Sequence, residues 1–445
     1  MNRMININRV PGWILFVIAT LCTTGAFAQS TRTLTLKEAI GLSIANSHIL
    51  KADKSKVTEA IAMVKQAEEN RLPSLGVSGS YLRITHPTIS VPKNSNNNGG
   101  GSNSTPNISQ AAYGIINGSY PIFTSGRLKL AIESAKYLEE ASRLDVDNDK
   151  EGVILNTINA FANLYKANAA VNLLNESLAS SRFRDSTFLR LEDNGLLPRN
   201  ERLKSTLQTS NIELSLLDAE NNLKLANITV DLMLGLPENT LLLPDSASMQ
   251  QPVEIKNISD YEVAALQNRK DLQALALRKK SASANIRSAR AENSPTIALT
   301  GGYIAAYVPN FITITNALNL GIGIQYNLAS LWRTNTHLIQ AKAMHETLQE
   351  NELQLNDMVR LQVNQDYQDF LSDQKKIEVY TKALTLAVEN YRITKNKYDN
   401  SLVSTTDLLD ADVAQMQARL NLALAKIDVM TAYNKLLHTS GLLNY

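Results

Sequence analysis

The sequence predicts a mainly α-helical chain: duplicated long coiled-coil hairpins that form an α-barrel, and four β-strands per chain that complete a transmembrane β-barrel shared by three copies. Three observations carry this. Ile312, Ile314, Leu318, Leu320, Ile322, Ile324, Tyr326 and Leu328 take every second position but for Asn316, while small or polar residues fill the gaps. That is the period of a strand with one apolar and one polar face. Immediately afterwards, 332–399 is a run of 68 residues without Gly or Pro, so nothing interrupts a helix roughly 100 Å long at ~1.5 Å per residue. Finally, the chain repeats its own plan, with paired residues at offsets of 222 and then 206 positions.

The first 28 residues read as a secretory signal. Arg3 and Arg9 precede an apolar run at 13–21, and Ala26, Phe27 and Ala28 supply the cleavage pattern, so the mature chain is expected to begin at Gln29. Cys22, the only cysteine, falls inside this segment. Of the 44 Lys plus Arg the signal carries two, and of the 42 Asp plus Glu none, which leaves 42 against 42. A balanced chain with no basic block excludes nucleic acid as a partner. No apolar run of 18 residues follows position 28, so any passage through a membrane falls to the strands.

The remaining 29–445 form a single unit of two repeats, 34–235 and 256–442, joined by a link at 236–257 that carries Pro237, Pro244 and Pro252. Asn46 pairs with Asn268, Pro73 with Pro295, Gly79 with Gly301 and Tyr81 with Tyr303. Later, Tyr120 pairs with Tyr326, Arg127 with Arg333, Asp193 with Asp399 and Gly235 with Gly441. The offset changes at 94–107, a tract of Asn, Gly, Ser and Thr that reads as an exposed loop. The second copy turns through Val308, Pro309 and Asn310 instead.

Each copy thus reads as a rising helix (36–71, 259–293), a strand (73–91, 296–308), a second strand (109–123, 311–328), a very long helix (126–194, 332–399) and a last helix (197–234, 402–440). Pro73 and Pro295 stop the rising helices. Leu164, Ala167, Val171, Leu174 and Leu178 step by three and four, as do Ile377, Tyr380, Leu384, Ala387, Tyr391, Thr394 and Tyr398, the spacing of a heptad seam.

Four strands with one apolar face cannot stand open in lipid, where each unpaired backbone group costs several kcal/mol; only closed barrels are viable. The smallest outer-membrane barrels have about 8 strands. One chain therefore cannot close alone, and a trimer supplies twelve strands with room inside.

The signal, the doubled plan, the turn Pro121, Ile122, Phe123, Thr124, Ser125, Gly126, Arg127 and the segment 398–411 together resemble the TolC family of outer-membrane efflux proteins over nearly all of the mature chain. The resemblance implies a homotrimeric channel-tunnel in the outer membrane, in contact with its lipid and extending into the periplasm. It implies passive conduction of substrates delivered by an inner-membrane efflux pump and a periplasmic adaptor (membrane fusion) protein, in efflux or type I secretion. The second-copy turn departs from the pattern, with Asn327, Leu328, Ala329, Ser330, Leu331 and Trp332. A secreted or periplasmic coiled-coil scaffold is the alternative from another class.

No enzyme is expected, since phosphate loop, nucleophile elbow and dinucleotide fingerprint are all missing, and no cofactor. His337 and His345 are about 12 Å apart by helix rise, too far for one metal ion. The functional candidates are the hairpin tips. Gly195, Leu196 and Leu197 match the family's adaptor-contacting turn, while Leu402 and Val403 follow a Ser401 that replaces the usual Gly. A turn held by a hydrophobic staple explains the same apolar residues. Thr405 or Thr406 is expected to cap the last helix. Asp407 and Asp410 match the family's acidic positions at the periplasmic entrance and share one helix face, so a trimer places them in two carboxylate rings. Glu201 stands at the equivalent of Asp407 and is expected to accept a hydrogen bond from Tyr398. The bland alternative is that these acids only favour helix N-termini, at ~0.3–1 kcal/mol each.

Overall fold

Two near-parallel systems of helices hang from one end of a four-stranded antiparallel sheet in the computed structural model, which describes residues 31–85, 108–245, 255–309 and 311–445. The expected signal at 1–28, the loop at 94–107, the far end of the first expected strand, Asn310 and part of the 236–257 link lie outside the described residues. In chain order, β1 (Thr31–Leu34), α1 (Leu36–Asn46) and α2 (His48–Glu69) lead to β2 (Ser74–Arg83) and β3 (Gln110–Phe123). Then α3 (Arg127–Asp193) runs to one tip and α4 (Arg199–Leu234) returns. After β4 (Leu241–Pro244) the plan recurs with α5 (Ile258–Asn268), α6 (Lys270–Ala291), β5 (Thr296–Val308), β6 (Ile312–Gln325), α7 (Thr336–Asp399) and α8 (Thr405–Thr439). No helix among the described residues is long and apolar enough to cross a membrane.

The rising helices are each broken once, where continuous helices are expected from sequence. Ser47 (ψ 120°) and Arg269 (ψ 127°) leave the helical region between α1 and α2 and between α5 and α6. The cause is tertiary. Gly235, at φ 70°, ends α4 against Asn46, whose Nδ2 donates to Leu234 O at 2.6 Å; Gly441, at φ 66°, ends α8 against Asn268. A Cβ on either glycine would stand about 3.0 Å from its asparagine, so both the left-handed turn and the close approach require glycine.

Two short strands were not foreseen. β1 pairs in parallel with β4, inside the link expected at 236–257, and Leu34 and Leu242 bury their side chains against Ile40, Ile158, Phe161 and Leu234. Asn227 fastens the strand: its Oδ1 accepts from Leu242 N at 2.8 Å, and its Nδ2 donates to Thr240 O at 2.6 Å and to Asp231 Oδ2 at 2.8 Å. Asp231 is fully buried and its Oδ1 has no partner among the described residues. Burial, with a smaller contribution from Glu238, pushes this carboxyl up to about 6. A raised acid pKa means that the folded state holds its proton while the unfolded chain has lost it, so stability falls as pH rises from about 4 to about 6. At neutral pH, Asp231→Asn is therefore expected to stabilise the fold, by up to about 3 kcal/mol, and to flatten the dependence of melting temperature on pH in that window. A variant that melts below wild type at pH 7.5 would contradict this.

A second core holds Tyr261, Val359, Val363, Phe370 and Leu436, and a third, nearer the tips, holds Val171, Leu174, Leu178, Ile212 and Leu216. The two copies interlock as well as repeat. In its upper part α3 packs on α6 of the other copy, with Ser134 and Ser281 sharing a buried 2.8 Å hydrogen bond and Arg278 paired with Asp145. The second heptad seam, from Ile377 to Tyr398, is only half-buried within one chain.

The sheet order is β2-β3-β5-β6, all antiparallel, which leaves β2 and β6 as open edges. Register assigns the faces, because directly opposed residues share a side. Leu75, Val77 and Tyr81 stand with Ile116 and Tyr120, then with Leu299, Tyr303 and Tyr307, then with Leu318, Leu320, Ile322 and Ile324. Ser78, Ser80, Asn117, Ser119, Thr300 and Asn319 face the other way. One expectation fails here. Asn316 sits at φ 58° in a bulge between Ile304/Ala306 and their partners, and one extra residue reverses the alternation. Ile312 and Ile314, opposed to Val308 and Ala306, are thereby carried to the polar face. Asn316 Oδ1 and N both bond the Tyr303 hydroxyl, at 3.3 and 3.2 Å, which holds the bulge.

Candidate functional site: helical tips and a two-faced sheet

At the far ends of the helices the chain makes two matched turns. Gly195 takes φ 70° and Ser401 takes φ 59°, and in each case the next residue closes the helix: Leu196 N donates to Leu191 O at 2.8 Å, Leu402 N to Lys397 O at 2.9 Å. Ser401 holds a left-handed conformation that favours glycine. Leu196 is 74% exposed and Leu402 72%, while Leu197 and Val403 are half-buried. Each tip thus offers one apolar side chain fully to solvent and rests on another.

Asp407 is committed to its own helix. Ser404, not Thr405 or Thr406, caps α8, because its hydroxyl accepts from Asp407 N at 3.2 Å while Asp407 Oδ2 accepts from the Ser404 N–H and hydroxyl at 2.9 and 2.7 Å. This reciprocal cap holds the Asp407 carboxyl below its usual range. Asp410, one turn on, is exposed and has no partner among the described residues.

Tyr398 does not bond Glu201 directly. Its hydroxyl accepts from Thr405 Oγ1 at 3.3 Å, and its ring stacks on Phe188 with centroids 5.8 Å apart. Glu201 instead accepts from Lys204 Nζ at 3.0 Å and Asn200 Nδ2 at 3.1 Å, and Lys204 also donates to Thr406 Oγ1 at 3.2 Å. Lys204 first, and then the Thr405 hydroxyl, lower the Glu201 carboxyl below its usual range. Tyr398 and Glu201 are thus linked only indirectly, through the Thr405 hydroxyl, while Lys204 bridges Glu201 to Thr406.

Sequence reasoning missed a largely buried ion pair. Arg184 Nη2 meets Asp412 Oδ2 at 2.8 Å with side chains only 10% and 19% exposed, beside Tyr391, whose hydroxyl burial pushes up. The pair joins α3 to α8 across 228 positions. Its only signal was the heptad seam through Tyr391, on which no charged partner is visible. Higher up, Lys166 pairs with Asp428 between the same helices.

At the other end, exposed Tyr120, Phe123, Tyr326 and Trp332 collect where the sheet meets the helices, the position of an interfacial aromatic girdle. The second-copy turn contains a 3-10 helix, Leu328–Leu331, so α7 begins at Thr336 under an Asn335 cap and not at 332. His337 Nδ1 lies 2.8 Å from Glu292. No group of three or more His, Cys, Asp or Glu among the described residues is arranged to hold a metal ion.

A family model described as outer membrane efflux protein matches residues 39–236 and 263–442. A search of curated proteins found no match. Among solved structures the chain is similar to CusC, studied for folding and transmembrane channel formation, at 20% identity and a TM-score of 0.76 over 92% of each chain. It is similar to the outer membrane protein VceC of Vibrio cholerae (18% identity, TM-score 0.74, 91% of this chain and 96% of that one). It is also similar to the CmeC outer membrane channel of Campylobacter jejuni (16%, 0.75, 92% and 86%).

Proposed function

Because the chain belongs to the outer membrane efflux protein family, and is thus an outer-membrane efflux channel component reaching into the periplasm, we propose that three copies close one twelve-stranded barrel. The observation that carries this is the four-stranded sheet with two open edges and one apolar face. Open edges are untenable in lipid, and closure by sharing satisfies both at once. In this reading the face of Ser78, Ser80, Asn117, Ser119, Thr300 and Asn319, which carries Ile312 and Ile314 beyond the bulge, lines the channel, and the repeats 34–235 and 256–442 each contribute one hairpin to the wall of a tunnel.

The tunnel works with a periplasmic adaptor and an inner-membrane pump. Gly195, Leu196 and Leu197, with Ser401, Leu402 and Val403, form the adaptor-docking tips; two leucines held out in water by tight turns support this. The cluster of Glu201, Tyr398, Thr405 and Lys204 holds the entrance hairpins together. Asp410, free and exposed, and Asp407 behind it supply the carboxylate rings. A scaffold without channel activity has no use for the sheet.

The test of the entrance is Asp407→Asn with Asp410→Asn in a planar bilayer. Cation preference and block by multivalent cations are expected to fall, with most of the change retained by Asp410→Asn alone because Asp407 also serves its cap. The stability of each chain should change by no more than about 2 kcal/mol. Unaltered selectivity would leave the acids a capping role only.

A further inference from the structure

One row of residues crosses all four strands close to the helical end of the sheet: Leu75 opposes Gly118, Gly118 opposes Gly301, and Gly301 opposes Leu320. Two glycines side by side in a sheet interior weaken it and leave a dent, which marks a place where something approaches closely. Bulky neighbours on the same apolar face wall the dent, Ile116 and Tyr303 on one side, Tyr120 and Leu299 on the other. The result is a groove of about 570 Å³, within the ~300–1,000 Å³ usual for small-molecule sites, with an almost wholly apolar lining. Pro73 stands at its mouth, and exposed Arg71 lies two residues before it.

We propose that this groove seats one acyl chain of a diacyl phospholipid in the periplasmic leaflet, with the phosphate on the side of the exposed Arg71. The leaflet follows from position: Leu75 is the second residue of β2, next to the helices that extend into the periplasm. A phosphate there would have the Arg71 guanidinium as its counter-charge. The apolar side of the sheet offers general contact to lipid everywhere; at the Gly118 and Gly301 row it also opens a slot walled by bulky side chains. The proposal rests on the outer-membrane placement and not on the number of chains that close the barrel, so lipid is counted per chain.

The test uses the full chain in detergent, titrated with dipalmitoylphosphatidylglycerol and read by native mass spectrometry. One tightly held lipid per chain is expected. Gly118→Val with Gly301→Val fills the slot; the atoms nearest a Cβ at these positions are the Cδ1 ends of Leu75 and Leu320, at 3.4 and 3.3 Å, and backbone oxygens at 3.5 to 3.8 Å. This variant should bind at least tenfold more weakly. Gly114→Val, on the same face in open space and outside the groove, should bind as wild type. Should the double variant fail to assemble, Gly118→Ala and Gly301→Ala each report a partial loss. Dipalmitoylglycerol, which lacks the phosphate, should bind at least tenfold more weakly to the wild type. Equal binding by the filled and wild-type grooves, equal loss in Gly114→Val, or equal binding of dipalmitoylglycerol would overturn the assignment.

Discussion

Asp412→Ala is expected to cost about 3–5 kcal/mol of stability at the tips, because it leaves the Arg184 guanidinium in a mostly buried site without its counter-charge. Both side chains are largely withdrawn from water, and Arg184 Nε already has no hydrogen-bond partner among the described residues. The remaining contacts, Ser181 Oγ at 3.3 Å and the neighbouring Tyr391, are neutral. The loss should be local: hydrogen exchange in the lower turns of α3 and α8 should accelerate while the cores around Phe161 and Phe370 keep their protection. In a bilayer the same variant should open more often, since the tie joins the two hairpins of one chain. The control is Arg184→Met with Asp412→Leu, which removes both charges and should recover most of the stability. A single variant as stable as wild type would mean that the pair is solvated in the assembly.

Phe161→Ala is expected to lose about 3–5 kcal/mol. Phe161 is 1% exposed, and its ring stands where β1, α1, α4 and β4 converge on α3. No neighbour collapses easily into the space, because Leu34 and Leu242 are held by the β1/β4 ladder and Leu234 by the glycine turn against Asn46. Thermal unfolding followed by helical circular dichroism measures the loss. Extraction of the 236–245 segment into protease-sensitive form should accompany it, whereas a drop below about 1 kcal/mol would show that this core is redundant.

How much of this was legible in the sequence depends on range. Alternation between Leu318 and Ile324, and the long runs without Gly or Pro, are local signals, and they located strands and helices well. The breaks at Ser47 and Arg269 are different, since neither carries a helix-breaking residue. They are set by glycines 189 and 173 positions away (235 − 46 and 441 − 268) docking on Asn46 and Asn268, and the repeat pairs those four residues without saying that they touch. The parallel β1/β4 ladder is equally non-local. At Asn316 the sequence did show an interruption in the alternation, but only register reveals that the pattern changes face there. In the candidate site the tips were readable from doubled motifs. The cap of α8 was misplaced by one or two residues because Ser404, Thr405 and Thr406 are all competent caps. The Arg184 and Asp412 pair was invisible, because an ion pair between distant helices leaves no period.

The central claim is that the sheet's open edges are satisfied by sharing. Mass measurement of the folded protein in detergent tests it most directly: the account predicts three chains per particle. A stable, folded monomer, or a species soluble in the periplasm without detergent, would contradict it.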